Sequence, residues 1–131
     1  MADLTALVIE WVNKAEEDWQ AAQLLFSLDH QAATTCFHCQ QCAEKLLKAS
    51  LLALGGSIPK THDLSLLSKL LSERDPSWTW STDPLEDLTA GAVATRYPGY
   101  SVDRTDAAEA MALAEALRLA LLSRLDLTGD R

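Results

Sequence analysis

One segment constrains the fold of this chain more than any other, the run from Cys36 to Ala49 that ends at Gly55-Gly56. At about 100° per residue, its apolar residues fall on one broad face of a helix. Those residues are Cys36, Cys39, Ala43, Leu46, Leu47 and Leu54. Roughly opposite runs a narrow polar stripe, made of His38, Gln41, Lys45 and Lys48. The pattern predicts a helix that buries one side in a core and presents an imidazole and two ammonium groups on the other. We expect any function to use the polar side.

Four further segments carry apolar residues at steps of three or four, which predicts four more helices. We expect a long first helix from about Asp3 to Leu28, on which Glu10, Lys14, Glu16, Glu17 and Asp18 form a solvated face. Thr61 is the predicted N-cap of a short third helix that ends near Glu73, and Leu64 begins its buried side. Asp83 is the predicted N-cap of a fourth, with Pro84 in its first turn. The last helix is expected from about Thr105 to Leu125.

Length and composition favour one helical domain. The 131 residues fit a single domain, with a core expected from about residue 3 to residue 126. Alanine and leucine dominate, glycine and proline fall mostly between segments, and no segment shows a strand pattern or a repeat. Short loops favour antiparallel neighbours. The sequence therefore predicts an all-α fold, an antiparallel up-down four-helix bundle with a short extra helix, five helices in all.

The net charge of −8 narrows the class of partner. An acidic surface repels phosphate backbones, so nucleic-acid binding would need a local basic patch, and RNA is not favoured. The alternative partner is a basic protein. The chain begins without a signal-peptide pattern, and no apolar run approaches the roughly 20 residues that a membrane span needs. We expect a cytoplasmic protein that does not associate with a membrane.

All three cysteines fall within seven residues of one predicted helix. Cysteines three residues apart on a helix are poorly placed for a disulfide, and their sulfurs fan around the axis rather than converging on a metal. Free, buried thiols in a reducing compartment are the simpler interpretation. We expect neither a metal site nor a cofactor.

Several polar residues each have a functional and a structural interpretation. Lys45 and Lys48 can hold a phosphate as point charges, or they can belong to a solvated face supported by a Glu44–Lys48 pair. His62 can bind an anion at a helix start, or it can order the turn. Arg96 with Tyr97 and Tyr100 suits a phosphate or a nucleobase, or the arginine can clamp helix carbonyls. The last pair, Trp78 and Trp80, can cover the core or form a contact surface.

The order of these elements resembles the HEPN family, the domain named for higher eukaryotes and prokaryotes and for nucleotide binding. The first matching element is Phe37-His38-Cys39-Gln40-Gln41-Cys42-Ala43-Glu44-Lys45-Leu46-Leu47-Lys48-Ala49. The second is Thr61-His62-Asp63-Leu64, and the third is Arg96-Tyr97-Pro98, where Thr95 replaces the family's alanine. The resemblance spans roughly residues 15–125. It implies a four-helix bundle that is usually dimerised and that pairs with a minimal nucleotidyltransferase, often as toxin and antitoxin.

A large branch of that family consists of metal-independent ribonucleases that use an arginine and a histidine with four to six residues between them. Here the corresponding positions after Arg96 hold Ser101, Val102 and Asp103. The resemblance, together with this departure from its ribonuclease pattern, implies a non-catalytic or weakly catalytic accessory protein that binds ATP or GTP, or a nucleotidyltransferase presenting one. The site would consist of Lys45, Lys48, His62, Arg96, Tyr97 and Tyr100, which we expect to converge on a shared pocket. The alternative is a divergent ribonuclease that uses Arg96 with His62 or Asp103.

Overall fold

The computed structural model describes residues 4–28, 31–94 and 97–125 of the chain. Within these ranges it has five helices and no strand, which confirms the predicted all-α fold. The helices are α1 (Leu4–Phe26), α2 (Ala32–Ala53), α3 (Leu64–Arg74), α4 (Thr82–Ala94) and α5 (Arg104–Leu125). Among the residues that the structure describes, none of the helices combines the length and the apolar character needed to cross a bilayer.

The central helix is α2, which packs against each of the other four. Asp18 of α1 contacts His38 near the start of α2, whereas Trp11 lies beside Lys48 near its end, so α1 and α2 are antiparallel. Cys39 of α2 contacts Met111 of α5, and the ends of both helices meet farther along, so these two run in the same direction. Leu64 at the start of α3 meets Thr89 near the end of α4. Trp78, in the loop before α4, lies beside Arg124 at the end of α5, whereas Ala94 at the end of α4 lines a cleft with Asp106 near the start of α5. Helices α1 and α4 therefore run against α2 and α5, and α3 is the short extra helix.

The core lies along the predicted apolar face of α2. Five of its six expected residues are buried, namely Cys36, Cys39, Ala43, Leu46 and Leu47. The sixth prediction is wrong, because Leu54 is 46% exposed. The helix ends at Ala53, and Gly55 follows Leu54 with a φ of +82°. The Gly56 and Gly55 N–H groups donate to the carbonyls of Leu51 and Leu52, the hydrogen bonds of a Schellman motif, which turns Leu54 out of the core.

Capping details differ from the sequence prediction at two helix starts. Asp63, not Thr61, is the N-cap of α3, and its side chain accepts hydrogen bonds from the N–H groups of Ser65 and Leu66. The Thr61 hydroxyl accepts from the Asp63 N–H instead, which orders the turn one step earlier. Helix α4 begins at Thr82, so Asp83 lies inside its first turn rather than preceding it. These shifts of one or two residues leave the packing unchanged.

Trp78 closes the end of the bundle beyond α3. Its ring is fully buried, and its indole N–H donates to the hydroxyl of Ser68 at 2.9 Å. Trp80 stacks on it with ring centroids 5.4 Å apart. The guanidinium of Arg124 at the end of α5 lies 5.1 Å from the Trp78 ring and donates to Asp75. Of the two alternatives for the tryptophan loop, the structure therefore shows core cover for Trp78.

Candidate functional site

The polar stripe of α2 faces the space between α1 and the loop that connects α2 to α3. We call this surface the polar face and define it by His38, Gln41, Lys45 and Lys48. Side chains from both sides join it in a network of charged and polar groups. Asp18 of α1 contacts Lys45, and His62 of the loop contacts Glu44 beside the polar face. The network has two centres, each a carboxylate with one histidine and one lysine as partners.

The first centre is Glu44, a buried carboxylate next to the polar face. Its oxygens lie 2.9 Å from the Lys48 ammonium, 2.9 Å from Nδ1 of His62 and 3.1 Å from the Gln40 amide nitrogen. Burial alone raises the pKa of the Glu44 carboxyl, but the hydrogen bonds from Lys48, His62 and Gln40 outweigh burial and hold that pKa below its ordinary value. Glu44 is therefore ionised at neutral pH.

Lys48 is not presented to solvent as the stripe predicted. Its side chain is only 8% exposed, its ammonium pairs with Glu44, and it lies 5.9 Å from the centre of the Trp11 ring. The helical wheel places Lys48 on the polar stripe correctly, but the wheel does not show that α1 covers this end of the stripe. The expectation of two exposed ammonium groups is thus wrong for Lys48, whose charge is satisfied inside the protein.

Of the two roles that the sequence left open for His62, the structure shows the one in the turn. Its backbone carbonyl accepts a hydrogen bond from the Gln40 amide at 2.8 Å, so α2 holds the turn in place. Because the ionised Glu44 can only accept hydrogen bonds, Nδ1 of His62 carries the proton between them. The rest of the ring is in solvent, since the side chain is 72% exposed. The protein therefore fixes the orientation of an imidazole whose Nε2 faces outward.

The second centre is Asp18 on α1, a residue that sequence reasoning assigned to the solvated face. Asp18 is buried, and its two oxygens lie 2.8 Å from Nδ1 of His38 and 2.6 Å from the ammonium of Lys45. The sequence does contain a sign that Asp18 is buried. It follows Ala15 by three positions and precedes Ala22 by four, and both alanines belong to the buried stripe of α1. Lys45 remains 25% exposed, so its ammonium keeps donors for an outside partner.

The start of α3 offers no free donors to an anion. Asp63 accepts hydrogen bonds from the N–H groups of Ser65 and Leu66, and the Leu64 N–H donates to the hydroxyl of Thr89 at 3.1 Å. These are the groups that would otherwise hold a phosphate at a helix N-terminus. Anion binding near His62 would thus depend on side chains rather than on the helix end.

The tyrosines predicted for the site lie in the connection between α4 and α5. Tyr97 and Tyr100 are both exposed, the latter by 65%. Tyr100 lines a cleft between α4 and α5 whose inner wall includes Cys36. Cys36 and Lys45 are nine residues apart on α2, about 180° around the helix, so the cleft and the polar face are on opposite sides of it. Arg96 lies outside the described residues. The structure brings Lys48 and His62 together on Glu44, places Lys45 on the same helix in a separate pair with Asp18, and places Tyr100 elsewhere.

The cysteines are packing residues of α2. Cys36, Cys39 and Cys42 are all buried with free thiols. Burial raises the pKa of Cys36 to about 11 and that of Cys42 to about 12, and it raises the pKa of Cys39 as well. All three thiols stay protonated at neutral pH, whereas a metal ligand or a nucleophile must be a thiolate. In the described part of the chain, no group of three acidic, cysteine or histidine side chains is arranged to hold a metal ion.

Comparison with known proteins gives two matches. The family model described as HEPN domain matches residues 8–124. The chain also superimposes on a solved structure, the crystal structure of TT1696 from Thermus thermophilus, with a TM-score of 0.70 and 25% sequence identity. That superposition covers 90% of this chain and 97% of TT1696. No curated protein sequence matches the chain.

Proposed function

The chain belongs to the HEPN domain family, and from that premise we propose that it is a non-catalytic accessory protein that binds a nucleotide at the polar face. The nucleotide, ATP or GTP, is bound free or is presented by a partner minimal nucleotidyltransferase. The protein would act as a homodimer and as one half of a toxin–antitoxin-type pair.

The observation that carries the proposal is the oriented, exposed imidazole of His62. Glu44 accepts the Nδ1 proton and orients the ring. In the imidazolium form, in which both ring nitrogens carry a proton, the solvent-facing Nε2 donates to a phosphate oxygen. Lys45 supplies a neighbouring ammonium with two N–H donors beyond the one that Asp18 uses. Lys48 is satisfied internally, so its proposed contribution is to keep Glu44 ionised rather than to touch the phosphate.

The partner has a role in this proposal because the predicted site residues are spread over two sides of α2. A nucleotide held by His62 and Lys45 has no contact with Tyr100, which lies in the cleft between α4 and α5. A protein is large enough to reach both sides. Arg96 and Tyr97 stay in the proposal as contacts of the partner or of its nucleotide.

Calorimetry tests the proposal by titrating ATP and GTP into the protein, first alone and then together with the protein encoded beside it. We expect the His62→Ala and Lys45→Ala substitutions to weaken nucleotide binding by about tenfold or more, the loss of one charge-assisted hydrogen bond. Lys69→Ala is the matched control, because Lys69 is an exposed lysine on α3 outside the polar face. The absence of heat with either nucleotide and with the neighbour-encoded protein would end this interpretation.

A second candidate, a divergent metal-independent ribonuclease, is favoured by the same pair of residues. A carboxylate that holds Nδ1 of a histidine leaves Nε2 as a general base, here for the 2′-hydroxyl proton of RNA. The 2′-oxygen would then attack phosphorus and expel the 5′-oxygen, with Arg96 as the proposed stabiliser of the charge. Incubation with total tRNA in EDTA separates the candidates. Cleavage that His62→Ala and Arg96→Ala both abolish would favour the ribonuclease.

A further inference from the structure

An open cleft lies between α4 and α5. Both helices pack on α2, but they make little contact with each other. The space between them has a volume of about 480 Å³. It extends along α4 from Pro84 to Ala94, which is eleven residues or about 15 Å of helix. The cleft is thus a groove long enough for two to three turns of another helix.

The floor of the groove is apolar. It is lined by Cys36 of α2, Leu88 of α4, and Ala110 and Leu113 of α5. Gly91 adds room at the middle, because a Cβ atom at that position would meet no other atom within 4 Å. Apolar side chains that border an open groove leave hydrophobic surface in water, and a partner that covers it is stabilised by its burial.

Both banks of the groove are acidic. Asp87 lies on the α4 side, and Asp106 and Glu109 lie on the α5 side. No basic residue lines the groove in the described part of the chain, and there Asp87 and Glu109 have no ion pair. Arg104, at the start of α5, is directed to α1, where its guanidinium donates to the Phe26 carbonyl and stacks on the Phe26 ring. As far as the described residues show, the groove therefore combines an apolar floor with negative charge on two sides that no basic side chain pairs.

We infer that this groove docks a basic amphipathic helix of a partner protein. The apolar side chains of that helix fill the space beside Gly91, and its lysines or arginines reach Asp87 and Glu109. A nucleotide does not fit the same place, because three carboxylates repel phosphate. A second copy of this chain fits poorly, because each copy carries a net charge of −8 and would face the groove with a mainly acidic surface.

This inference does not depend on the nucleotide site, which lies on the opposite side of α2. A fluorescent synthetic peptide tests it directly. The peptide has about 14 residues, roughly 20 Å of helix, with leucines on one face and lysines and arginines flanking them. Its counterpart carries glutamates in place of the basic residues. Fluorescence anisotropy gives the dissociation constant of each for the full chain.

We expect the basic peptide to bind at least about tenfold more tightly than the acidic one, and to bind more weakly as salt is added. Asp87→Lys with Glu109→Lys removes that preference. Glu86→Lys, a single charge reversal of the same kind at an exposed position of α4 outside the groove, retains it. Gly91→Leu fills the groove and abolishes binding. Circular dichroism shows whether each variant is folded. If Gly91→Leu does not fold, the test of the inference rests on the variant that combines Asp87→Lys with Glu109→Lys.

Three outcomes overturn the inference. The first is equal binding of the basic and acidic peptides. The second is binding of neither. The third is a change in the mass of the unliganded protein, measured by light scattering, when the groove is altered by Asp87→Lys with Glu109→Lys, because that result assigns the groove to a second copy of this chain.

Discussion

Nδ1 of His62 lies 2.9 Å from a carboxylate oxygen of Glu44, although 18 residues and the end of α2 separate the two in sequence. Asp18 and His38 form a second contact of this kind at 2.8 Å, between α1 and α2. A lysine of α2 pairs with each carboxylate as well, Lys48 with Glu44 and Lys45 with Asp18. The polar face is therefore tied to α1 on one side and to the α2–α3 loop on the other.

Glu44→Gln is expected to destabilise the protein by about 3–5 kcal/mol, because it leaves the buried Lys48 ammonium without its anion. Urea denaturation followed by circular dichroism measures the loss. The double variant Glu44→Gln with Lys48→Met removes both charges and should lose much less. A single variant as stable as the native protein would show that Lys48 finds water or another partner.

The stability of the protein should fall in acid through Glu44. The pKa of this carboxyl is lower in the folded protein than its ordinary value of 4.5, so ionised Glu44 stabilises the fold. That stabilisation is complete above pH 4.5 and is lost as the pH falls from there through the lowered pKa. Urea midpoints measured between about pH 7 and about pH 3 should therefore fall less in the double variant Glu44→Gln with Lys48→Met. Parallel curves for both proteins would contradict the assignment.

Asp18→Ala should cost about 1–3 kcal/mol of unfolding free energy, because it removes the shared partner of His38 and Lys45. The neighbouring residue provides the control. Glu17 is exposed, and Glu17→Ala should change stability by no more than about 0.5 kcal/mol. Thermal unfolding of both variants in one buffer distinguishes them. Equal losses of unfolding free energy would show that Asp18 is a solvated residue like Glu17.

Two glycines should respond to alanine in opposite directions. Gly55 has a φ of +82° at the end of α2, so Gly55→Ala should destabilise by about 1–2 kcal/mol. Gly91 is inside α4 with free space around it, so Gly91→Ala should stabilise by about 0.5–1 kcal/mol through helix propensity. The melting temperature should therefore fall for Gly55→Ala and rise for Gly91→Ala. A stabilising Gly55→Ala would contradict the left-handed turn.

The fold follows from patterns that a single chain displays. Apolar residues recur at helical spacing in five segments, and glycine and proline separate them, so the helices and most of their buried residues are predictable. The cap of α3 was misassigned to Thr61 instead of Asp63 because both residues have side chains that accept backbone hydrogen bonds. The family resemblance was also readable, since it rests on three short motifs in order.

The exposure and the pairing of the charged side chains at the site were not predictable in the same way. A helical wheel shows on which side of α2 Lys48 lies, but the exposure of that side depends on where α1 and the α2–α3 loop pack. Asp18 and His62 come from two other segments to meet charges on α2.

The sequence by itself therefore determined the helices, the central position of α2 and the family, because local periodicity and motif order encode them. Only the tertiary structure decided that the two lysines are paired with buried carboxylates, that His62 is oriented by Glu44, and that Tyr100 lies across α2 from them. Those relationships depend on distances between segments far apart in the chain, and no spacing within one segment specifies them.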